Sequence, residues 1–340
     1  MAKLESSRAP APAPKRRRGG GQATTSRRRS GAGKLTARAV TRRRPAGGAR
    51  LATRGATAPW RYAVPALAFY GLVLLYPSVS GAGYAFTDWN GLAAPDFVGM
   101  ANFQRMFDDP QAYASIANTL LLTVAVTVAQ NAIGLALAVG LNTSIASRNL
   151  LRVVFFAPAV LSPLILAYLW QYLYASDGAV NRLLSGVGLG GLTQDWLGDP
   201  DLALWSIAVC VVWQNVGLSM VIYLAALQGV PRELHEAASI DGAGAWRRFA
   251  HITWPLIAPA TTIATVLSVI GCLKLFDQIM AITGGGPGHA TETAATVIYK
   301  KAFVYGQFGY STALALVLTA VIFLVSVVHV VLLRRREAFR

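Results

Sequence analysis

The sequence has little charge and little cysteine, and each shortage excludes a class of protein. Charged residues make up 14% of the 340 residues, hydrophobic residues make up 54%, and the mean hydropathy is +0.45. Soluble domains carry about 25% charged residues, so most water-soluble enzymes are excluded. The two cysteines, Cys210 and Cys272, lie far apart in apolar runs, which excludes a disulfide framework and a Cys-x-x-Cys site.

Metal-ligand spacing is also missing. The four histidines are scattered through the chain, and none forms a cluster with the cysteines: His235, His251, His289 and His329. The sequence therefore predicts no metal site in this chain.

Acidic residues are nearly absent from residues 1–61, where positive charge is concentrated. This segment holds 17 of the 31 Lys and Arg residues and one acid, Glu5, so it accounts for the whole formal charge of +16. Its many Pro, Gly, Ala, Ser and Thr residues cannot bury enough apolar surface to fold, which predicts a disordered basic cytoplasmic tail. No aromatic residue precedes Trp60, so the stacking platforms of many nucleic-acid binders are missing. Membrane lipids are the expected partner of the tail, and nucleic acid is not.

The tail contains a short sequence similar to a phosphate-binding loop, but two residues that such a loop requires are replaced. Gly31-Ala32-Gly33-Lys34 has Arg28 where the first glycine is needed, and Leu35 replaces the Ser or Thr that would reach Mg²⁺. The chain also lacks a recognisable catalytic triad. The sequence therefore predicts that this chain is not an enzyme by itself.

The remaining residues contain six long apolar runs. About 20 apolar residues, at 1.5 Å of helical rise each, cross the roughly 30 Å hydrocarbon layer of a membrane. The expected spans are residues 62–86, 116–141, 153–174, 202–230, 256–282 and 311–333. The sequence thus predicts an all-α membrane protein with six transmembrane helices over residues 62–336.

Basic residues indicate the orientation of these spans, because Lys and Arg near span ends remain on the cytoplasmic side. An inside amino terminus also places inside the arginines of three further segments: residues 142–152, 231–255 and 334–340. Only four basic residues then lie in outer loops: Arg105, Arg182, Lys300 and Lys301. Both termini are therefore predicted to be cytoplasmic.

The longest inner loop, residues 231–255, has the pattern of two short helices. Pro231 and the following acids, including Glu236, suit a helix start. Gly242 and Gly244 can end this helix by adopting positive φ. A plain linker would be polar and without periodicity, so this pattern favours a docking element.

The second helix of the loop is predicted from an apolar stripe. Three apolar residues recur at every third position before the proline that opens the next span: Trp246, Phe249 and Ile252. The stripe is expected to pack on a partner protein or, as the alternative, to lie on lipid headgroups.

The spacing in this loop strongly resembles that of the permease subunits of ATP-driven sugar importers of the maltose and glycerol-3-phosphate uptake type. Their signature is Glu-Ala-Ala, three residues, Gly, nine residues, Ile, one residue and Leu-Pro. The matching residues stand at that spacing: Glu236, Ala237, Ala238, Gly242, Ile252 and Pro255. Trp254 replaces the usual Leu, an apolar exchange that affects packing at the membrane edge. Further similarities extend the resemblance over residues 60–336: Thr87-Asp88-Trp89, Asn118-Thr119, Phe276-Asp277 and the turn at 283–287.

The resemblance implies that the loop between helices 4 and 5 is a coupling helix seated on a cytosolic ATPase subunit. It assigns the coupling role to Glu236, Ala237, Ala238, Asp241, Gly242, Ile252 and Pro255. ATP and Mg²⁺ would be bound by that partner, and no cofactor is expected in this chain. Further implied partners are a second permease subunit and an extracellular sugar-binding protein. The expected function is the membrane-spanning subunit of an ATP-binding cassette (ABC) importer that moves a sugar or oligosaccharide across a bacterial plasma membrane.

A stand-alone secondary transporter or channel is the alternative function. Such proteins often contain inverted repeats and unpaired acids within the membrane, and the sequence shows neither pattern. The docking loop would also have no purpose in a protein that works alone.

The run at residues 256–282 is exceptional because it contains charges, Lys274 and Asp277. Inserting a charge near the bilayer centre costs about 2.5 to 3.5 kcal/mol, so these two residues are expected to have a functional or structural role. Being three positions apart, they are predicted to share a helix face in the outer half of the membrane and to neutralise each other partly. They would line a water-filled cavity for hydroxyl recognition or gating, or form an ion pair that only fixes helix packing.

Sugars are bound through hydrogen bonds to their hydroxyls and through aromatic faces against their C–H groups. The candidate substrate-path residues on this basis are Trp213, Gln214, Asn215, Lys274, Asp277 and Gln278. Trp170 and Tyr172 either belong to the same path or anchor the third span at the membrane interface.

Overall fold

The computed structural model describes the backbone of residues 62–338 and the side chains as far as residue 331. Within these residues the regular elements are helices, and an isolated bridge between Thr87 and Phe97 is the single β pairing. The tail predicted over residues 1–61 lies outside the described residues.

Thirteen helical elements follow one another in the described part of the chain. They are α1 (Val64–Phe86), α2 (Ala101–Asp108), α3 (Pro110–Leu141), α4 (Arg148–Val160), α5 (Pro163–Leu173), α6 (Ala179–Gly186), α7 (Pro200–Gln228), α8 (Arg232–Ile240), α9 (Ala245–Leu256), α10 (Ala258–Leu273), α11 (Asp277–Ile282), α12 (Ala294–Tyr299) and α13 (Phe308–Ala338). Two further single helical turns lie between these elements, Gly190–Leu192 and Lys300–Val304.

Four of these helices are long and apolar enough to cross a membrane: α1, α3, α7 and α13. Two further pairs have the required length and hydropathy but are sharply bent, α4 with α5 by 100° and α9 with α10 by 68°. The described residues therefore contain four candidate spans, or up to six if each bent pair is one span. The all-helical, multi-span fold predicted from the sequence is confirmed.

The third predicted span, residues 153–174, is not one continuous helix. α4 ends at Val160 and α5 begins at Pro163, with Ser162 in an extended conformation at ψ 130°. The ring of Pro163 disfavours helical geometry at the residue before it, which explains the break. The predicted span at residues 153–174 therefore corresponds to the bent pair of α4 and α5, and the interruption expected from its prolines lies at Pro163.

The fifth predicted span, residues 256–282, is also interrupted. α10 ends at Leu273, the chain leaves helical geometry at Phe276 (φ −131°), and α11 begins at Asp277. The prediction that Lys274 and Asp277 share a helix face is therefore wrong, and no ion pair within 4.0 Å joins them among the ion pairs of the described residues.

A threonine far along the chain stabilises this interruption. The hydroxyl Oγ1 of Thr293 donates a hydrogen bond to the carbonyl oxygen of Leu275 at 3.0 Å. Non-helical backbone at membrane depth is tolerated where its freed polar groups find partners in protein or line a wet cavity. The hydrogen bond from Thr293 therefore satisfies a backbone carbonyl group at the break.

The core lies where α3 and α7 pack against each other and against α10 and α11. Fully buried side chains of the core include Leu122 and Val126 of α3 and Ile207 and Met220 of α7. Close approach of the helices depends on a small residue, because a Cβ atom on Gly217 would lie 2.2 Å from the carbonyl oxygen of Phe155 in α4. α7 therefore packs closely between α3 and α4.

We expect Gly217→Ala to lower the free energy of unfolding by about 1 to 3 kcal/mol, since the backbone of Phe155 must move away. Gly140 in α3 is a matched control, because a Cβ atom there meets nothing within 4 Å. Gly140→Ala should leave stability unchanged or raise it by up to about 1 kcal/mol through helix propensity. Thermal unfolding of the detergent-solubilised protein measures both changes. Equal unfolding temperatures for the two variants would contradict the tight packing of α4 on α7.

Candidate functional site

Residues 231–255 form two helices, as predicted, with the turn between them at Gly242. This glycine has φ +75°, and the amides of Gly242 and Ala243 donate to the carbonyl oxygens of Ser239 and Ala238 at 3.1 and 2.8 Å. This is the Schellman arrangement that ends many helices. Gly244 has φ −65° and precedes α9 in an extended conformation, so the prediction of positive φ at Gly244 is wrong.

α8 presents its side chains outwards, and none of them is buried. Most of the signature residues are exposed here, among them Glu236, Ala237, Asp241 and Gly242, whereas Ala238 is half-buried. Glu236 takes part in none of the ion pairs of the described residues. A helix with exposed small, acidic and apolar groups, whose Glu236 has no ion-pair partner among the described residues, is suited to contact another protein.

The other two signature residues have a different position. Ile252 and Pro255 lie on α9 and are half-buried where the loop joins the span α10. On α9 the ring of Trp246 stacks on that of Phe249 at 5.9 Å, and the ring of Trp254 lies 6.4 Å from that of Phe249. Ile252, the third residue of the predicted stripe, is half-buried. The signature therefore has an exposed part on α8 and an anchoring part on α9.

A second candidate site is a polar cavity between α3, α7, α10 and α11. It encloses about 720 Å³, part of it open to the surroundings. Four of the six predicted substrate-path residues line it: Asn215, Lys274, Asp277 and Gln278. The tertiary structure thus brings together residues that are up to 63 positions apart in the sequence.

The two charged residues of the cavity have free polar groups. Lys274 and Asp277 are both exposed, and neither forms a side-chain hydrogen bond or an ion pair among the interactions of the described residues. Because the cation and the anion are not paired with each other, both can bind the hydroxyl groups of a polar solute. The cavity therefore offers donors and acceptors together.

The two remaining substrate-path candidates do not line the cavity. Gln214 lies behind its wall, where its Oε1 accepts a hydrogen bond of 2.9 Å from Nε2 of Gln278, and both side chains are buried. Trp213 lies on another face of α7, where it lines an apolar groove with α3 and α4 and contacts the ring of Trp170 edge-on at 5.6 Å. Gln214 can therefore orient Gln278, whereas Trp213 is turned away from the cavity.

Three further polar residues of this wall were not predicted from the sequence: Gln130, Ser219 and Ser268. Nε2 of Gln130 donates to Oγ of Ser219 at 2.9 Å, which joins α3 to α7. A polar residue within a long apolar run was the available signal, since buried polar groups need hydrogen-bond partners. Without the packing of the helices, that signal did not distinguish a cavity wall from a helix contact.

A buried ionic network around Glu292, in the segment before α12, was also not predicted. The carboxylate of Glu292 is 2% exposed and is 2.6 Å from Nζ of Lys300, 2.7 Å from Nε2 of Gln111 and 3.0 Å from Nδ1 of His289. Burial by itself raises the pKa of Glu292, but the hydrogen bonds from Lys300, His289 and Gln111 outweigh burial and hold this pKa below its ordinary value. The network ties the segment before α12 to the start of α3.

Comparison with proteins of known structure identifies the class to which this fold belongs. The fold is that of a subunit in the crystal structure of a bacterial ABC transporter involved in the import of the acidic polysaccharide alginate. The TM-score is 0.72 at 23% identity, and the match covers 81% of this chain and 94% of that chain. The class is therefore a multi-pass helical membrane protein with the fold of an ABC importer subunit.

The family follows from the sequence comparisons. Residues 130–338 match the family described as "Binding-protein-dependent transport system inner membrane component". The chain belongs to this family, which consists of transport components and not of enzymes.

Two relatives illustrate the similarity. The chain is 34% identical over 278 residues to the "Probable starch degradation products transport system permease protein AmyD" of Thermoanaerobacterium thermosulfurigenes, covering 82% of this chain and 94% of the relative. It is 32% identical over 279 residues to the "Multiple sugar-binding transport system permease protein MsmF" of Streptococcus mutans, covering 82% and 96%.

Proposed function

We propose that this chain is the membrane-spanning subunit of an ABC importer that moves a sugar or oligosaccharide into a bacterial cell. The exposed α8 with its Glu-Ala-Ala sequence and the turn at Gly242 is the observation that carries the proposal. The names of the relatives, which refer to starch degradation products and to multiple sugars, support a carbohydrate as the solute. In this proposal the bent pair of α4 and α5 is one span, and α10 with α11 is another, while α9 remains in the cytoplasmic loop. This makes six spans with both termini in the cytoplasm.

The proposed partners follow from the same role. Cytosolic ATPase subunits bind ATP and Mg²⁺ and contact α8, while a second permease subunit completes the transport path. An extracellular binding protein delivers the sugar. One solved structure with this fold is a bacterial alginate ABC transporter in complex with "alginate pentasaccharide-bound periplasmic protein", which supports a binding-protein partner.

Coupling is proposed to act through α8 as a short, rigid lever. Glu236 pairs with a basic group of the ATPase, and Ala237, Ala238 and Gly242 leave room for close contact, with Asp241 at the end of the helix. Ile252 and Pro255 hold the lever to α10, so a displacement of α8 moves a span that forms one wall of the cavity. A stand-alone transporter or channel would leave this exposed lever without a partner.

The sugar is proposed to pass the polar cavity. Asn215, Lys274, Asp277 and Gln278 supply hydrogen bonds to its hydroxyl groups, and Gln214 holds the amide of Gln278 in position. Each of these side chains replaces water that the sugar loses on entering the cavity.

We expect Asp277→Ala and Lys274→Met each to lower the rate of sugar uptake about tenfold or more, since a hydrogen bond to a charged group is worth about 1.5 to 3 kcal/mol. Asp201→Ala is the matched control, because Asp201 is an exposed acid in the first turn of α7, away from the cavity. The measurement is uptake by vesicles in the presence of saturating binding protein. Equal rates for all three variants would remove the cavity from the transport path.

The whole proposal is tested by purifying the assembled complex and measuring uptake of a panel of radiolabelled sugars with and without ATP. Sugar uptake that requires ATP and the partner chains supports it. Uptake by this chain alone, driven by an ion gradient, would favour a secondary transporter instead.

A further inference from the structure

α9 runs at a steep angle to the span that follows it. The helix axes of α9 and α10 differ by 68°, and α10 begins two residues after α9 ends. Transmembrane helices tilt on average about 20° from the bilayer normal, so α9 runs closer to the membrane plane than to the normal. Since α9 ends where a span begins, it lies at the surface of the membrane.

α9 carries aromatic and basic side chains together. One face carries the aromatic rings of Trp246, Phe249 and Trp254, and the side chain of Trp246 is 79% exposed. The same helix also carries basic groups: Arg247, Arg248 and His251. Neither arginine takes part in the ion pairs of the described residues, so both guanidinium groups are available to an anion.

This arrangement matches the interfacial zone of a bilayer. Tryptophan rings are enriched at headgroup depth because they have an apolar body and a polar N–H group. Helices with Trp or Phe on one face and Lys or Arg on the other lie in the interface plane, and their binding is strengthened by anionic lipids. The planar guanidinium group of arginine also matches the oxygens of a phosphate.

An apolar groove continues from the end of α9. It spans about 1130 Å³, much of it open to the surroundings, between the last turns of α7 and the first turns of α10. Its lining includes Val221, Ala225, Val230, Leu256, Pro259 and Ile263. Leu256 is the last residue of α9, so the groove begins where the amphipathic helix ends. The size and lining suit a hydrocarbon chain.

We propose that α9 and this groove bind a phospholipid with an anionic headgroup. Arg247 and Arg248 contact the headgroup phosphate, Trp246 lies at headgroup depth, and an acyl chain occupies the groove. The lipid belongs to the cytoplasmic leaflet, a placement that rests on the orientation given under the proposed function. A lipid held in this way keeps α9 on the membrane and leaves α8 free to contact the ATPase, so transport depends on anionic lipid.

The test uses the assembled transporter in nanodiscs of phosphatidylcholine, alone or mixed with phosphatidylglycerol, with brominated acyl chains that quench tryptophan emission. The contribution of Trp246 is the difference between the parent and Trp246→Tyr. We expect this contribution to be quenched, and quenched more by brominated phosphatidylglycerol than by brominated phosphatidylcholine. Replacing Arg247 and Arg248 by Gln should weaken the apparent affinity for phosphatidylglycerol by about fivefold for each arginine. Arg182→Gln, which removes an exposed charge from the segment α6, should leave the preference unchanged.

Three results would overturn the lipid site. The first is emission from Trp246 that neither brominated lipid quenches, and the second is an unchanged preference for phosphatidylglycerol in the double Gln variant. The third is quenching that occurs only after the ATPase subunits are removed, because that result assigns α9 to the ATPase. The proposed coupling is tested separately by copurification of the ATPase, which the parent should retain and Glu236→Lys should lose. A failure of lipid binding therefore leaves the coupling proposal standing.

Discussion

Gly242→Pro should abolish ATP-driven uptake while the chain still inserts into the membrane. Gly242 has φ +75°, whereas proline is restricted to φ near −65°, and the amide that proline lacks donates a hydrogen bond to Ser239 at 3.1 Å. The turn between α8 and α9 therefore cannot form, and α8 loses its position. Uptake by vesicles and the amount of chain in the membrane fraction are the measurements.

The chain offers a matched control for this substitution. Gly188 has φ +81°, its amide donates to Ser185 at 3.2 Å, and a Cβ atom there also meets nothing within 4 Å. Gly188→Pro imposes a similar local strain outside the loop at 231–255, so uptake should persist. A comparable loss of uptake in both variants would show that strain alone causes the effect and would contradict the coupling role of this turn.

Lys300→Met should be the most destabilising single change in the ionic network, with a loss of about 3 kcal/mol or more. It leaves the carboxylate of Glu292 buried without its closest cation, and breaking a buried pair by removing one partner costs about 3 to 5 kcal/mol. Lys300→Met combined with Glu292→Gln should recover most of the stability, because no unpaired charge then remains. Thermal unfolding of the parent, the single variant and the double variant measures both changes.

The pH dependence of this effect has a defined sign. The pKa of Glu292 is lowered in the folded protein, so its pairing stabilises the fold above the unfolded pKa of about 4.3 and is lost as the pH falls through the folded value. The difference between parent and Lys300→Met should therefore shrink in acid. Arg182→Met is the control, since the exposed pair of Arg182 with Asp177 at 3.5 Å should contribute no more than about 1 kcal/mol. Equal losses for the two variants would contradict the buried network.

Local features of the fold could be predicted from the sequence because they depend on neighbouring residues. A run of about 20 apolar residues predicts a helix that can span a membrane, and four such helices are present. The end of α8 at Gly242 was equally predictable, since a glycine after a short helix supplies the left-handed conformation of a Schellman turn. The signature spacing in the same loop indicated the family through the order of its residues alone.

The cavity could be predicted only in part, because it depends on how the helices pack. Apolar residues occur all around α7, so its sequence has no periodicity to show that Asn215 faces the cavity while Trp213 faces away. The same reason explains why Gln130 was missed.

The sequence by itself determined the apolar spans and the two-helix loop, because each arises from composition or from spacing within a few residues. Only the tertiary structure decided the break between α10 and α11 and the pairing of Glu292 with Gln111 and Lys300. Thr293 supplies the hydrogen bond that stabilises the break from 18 positions away, and Gln111 is 181 positions from Glu292. Contacts over such separations exist only after the helices have packed, which is why no local pattern predicts them.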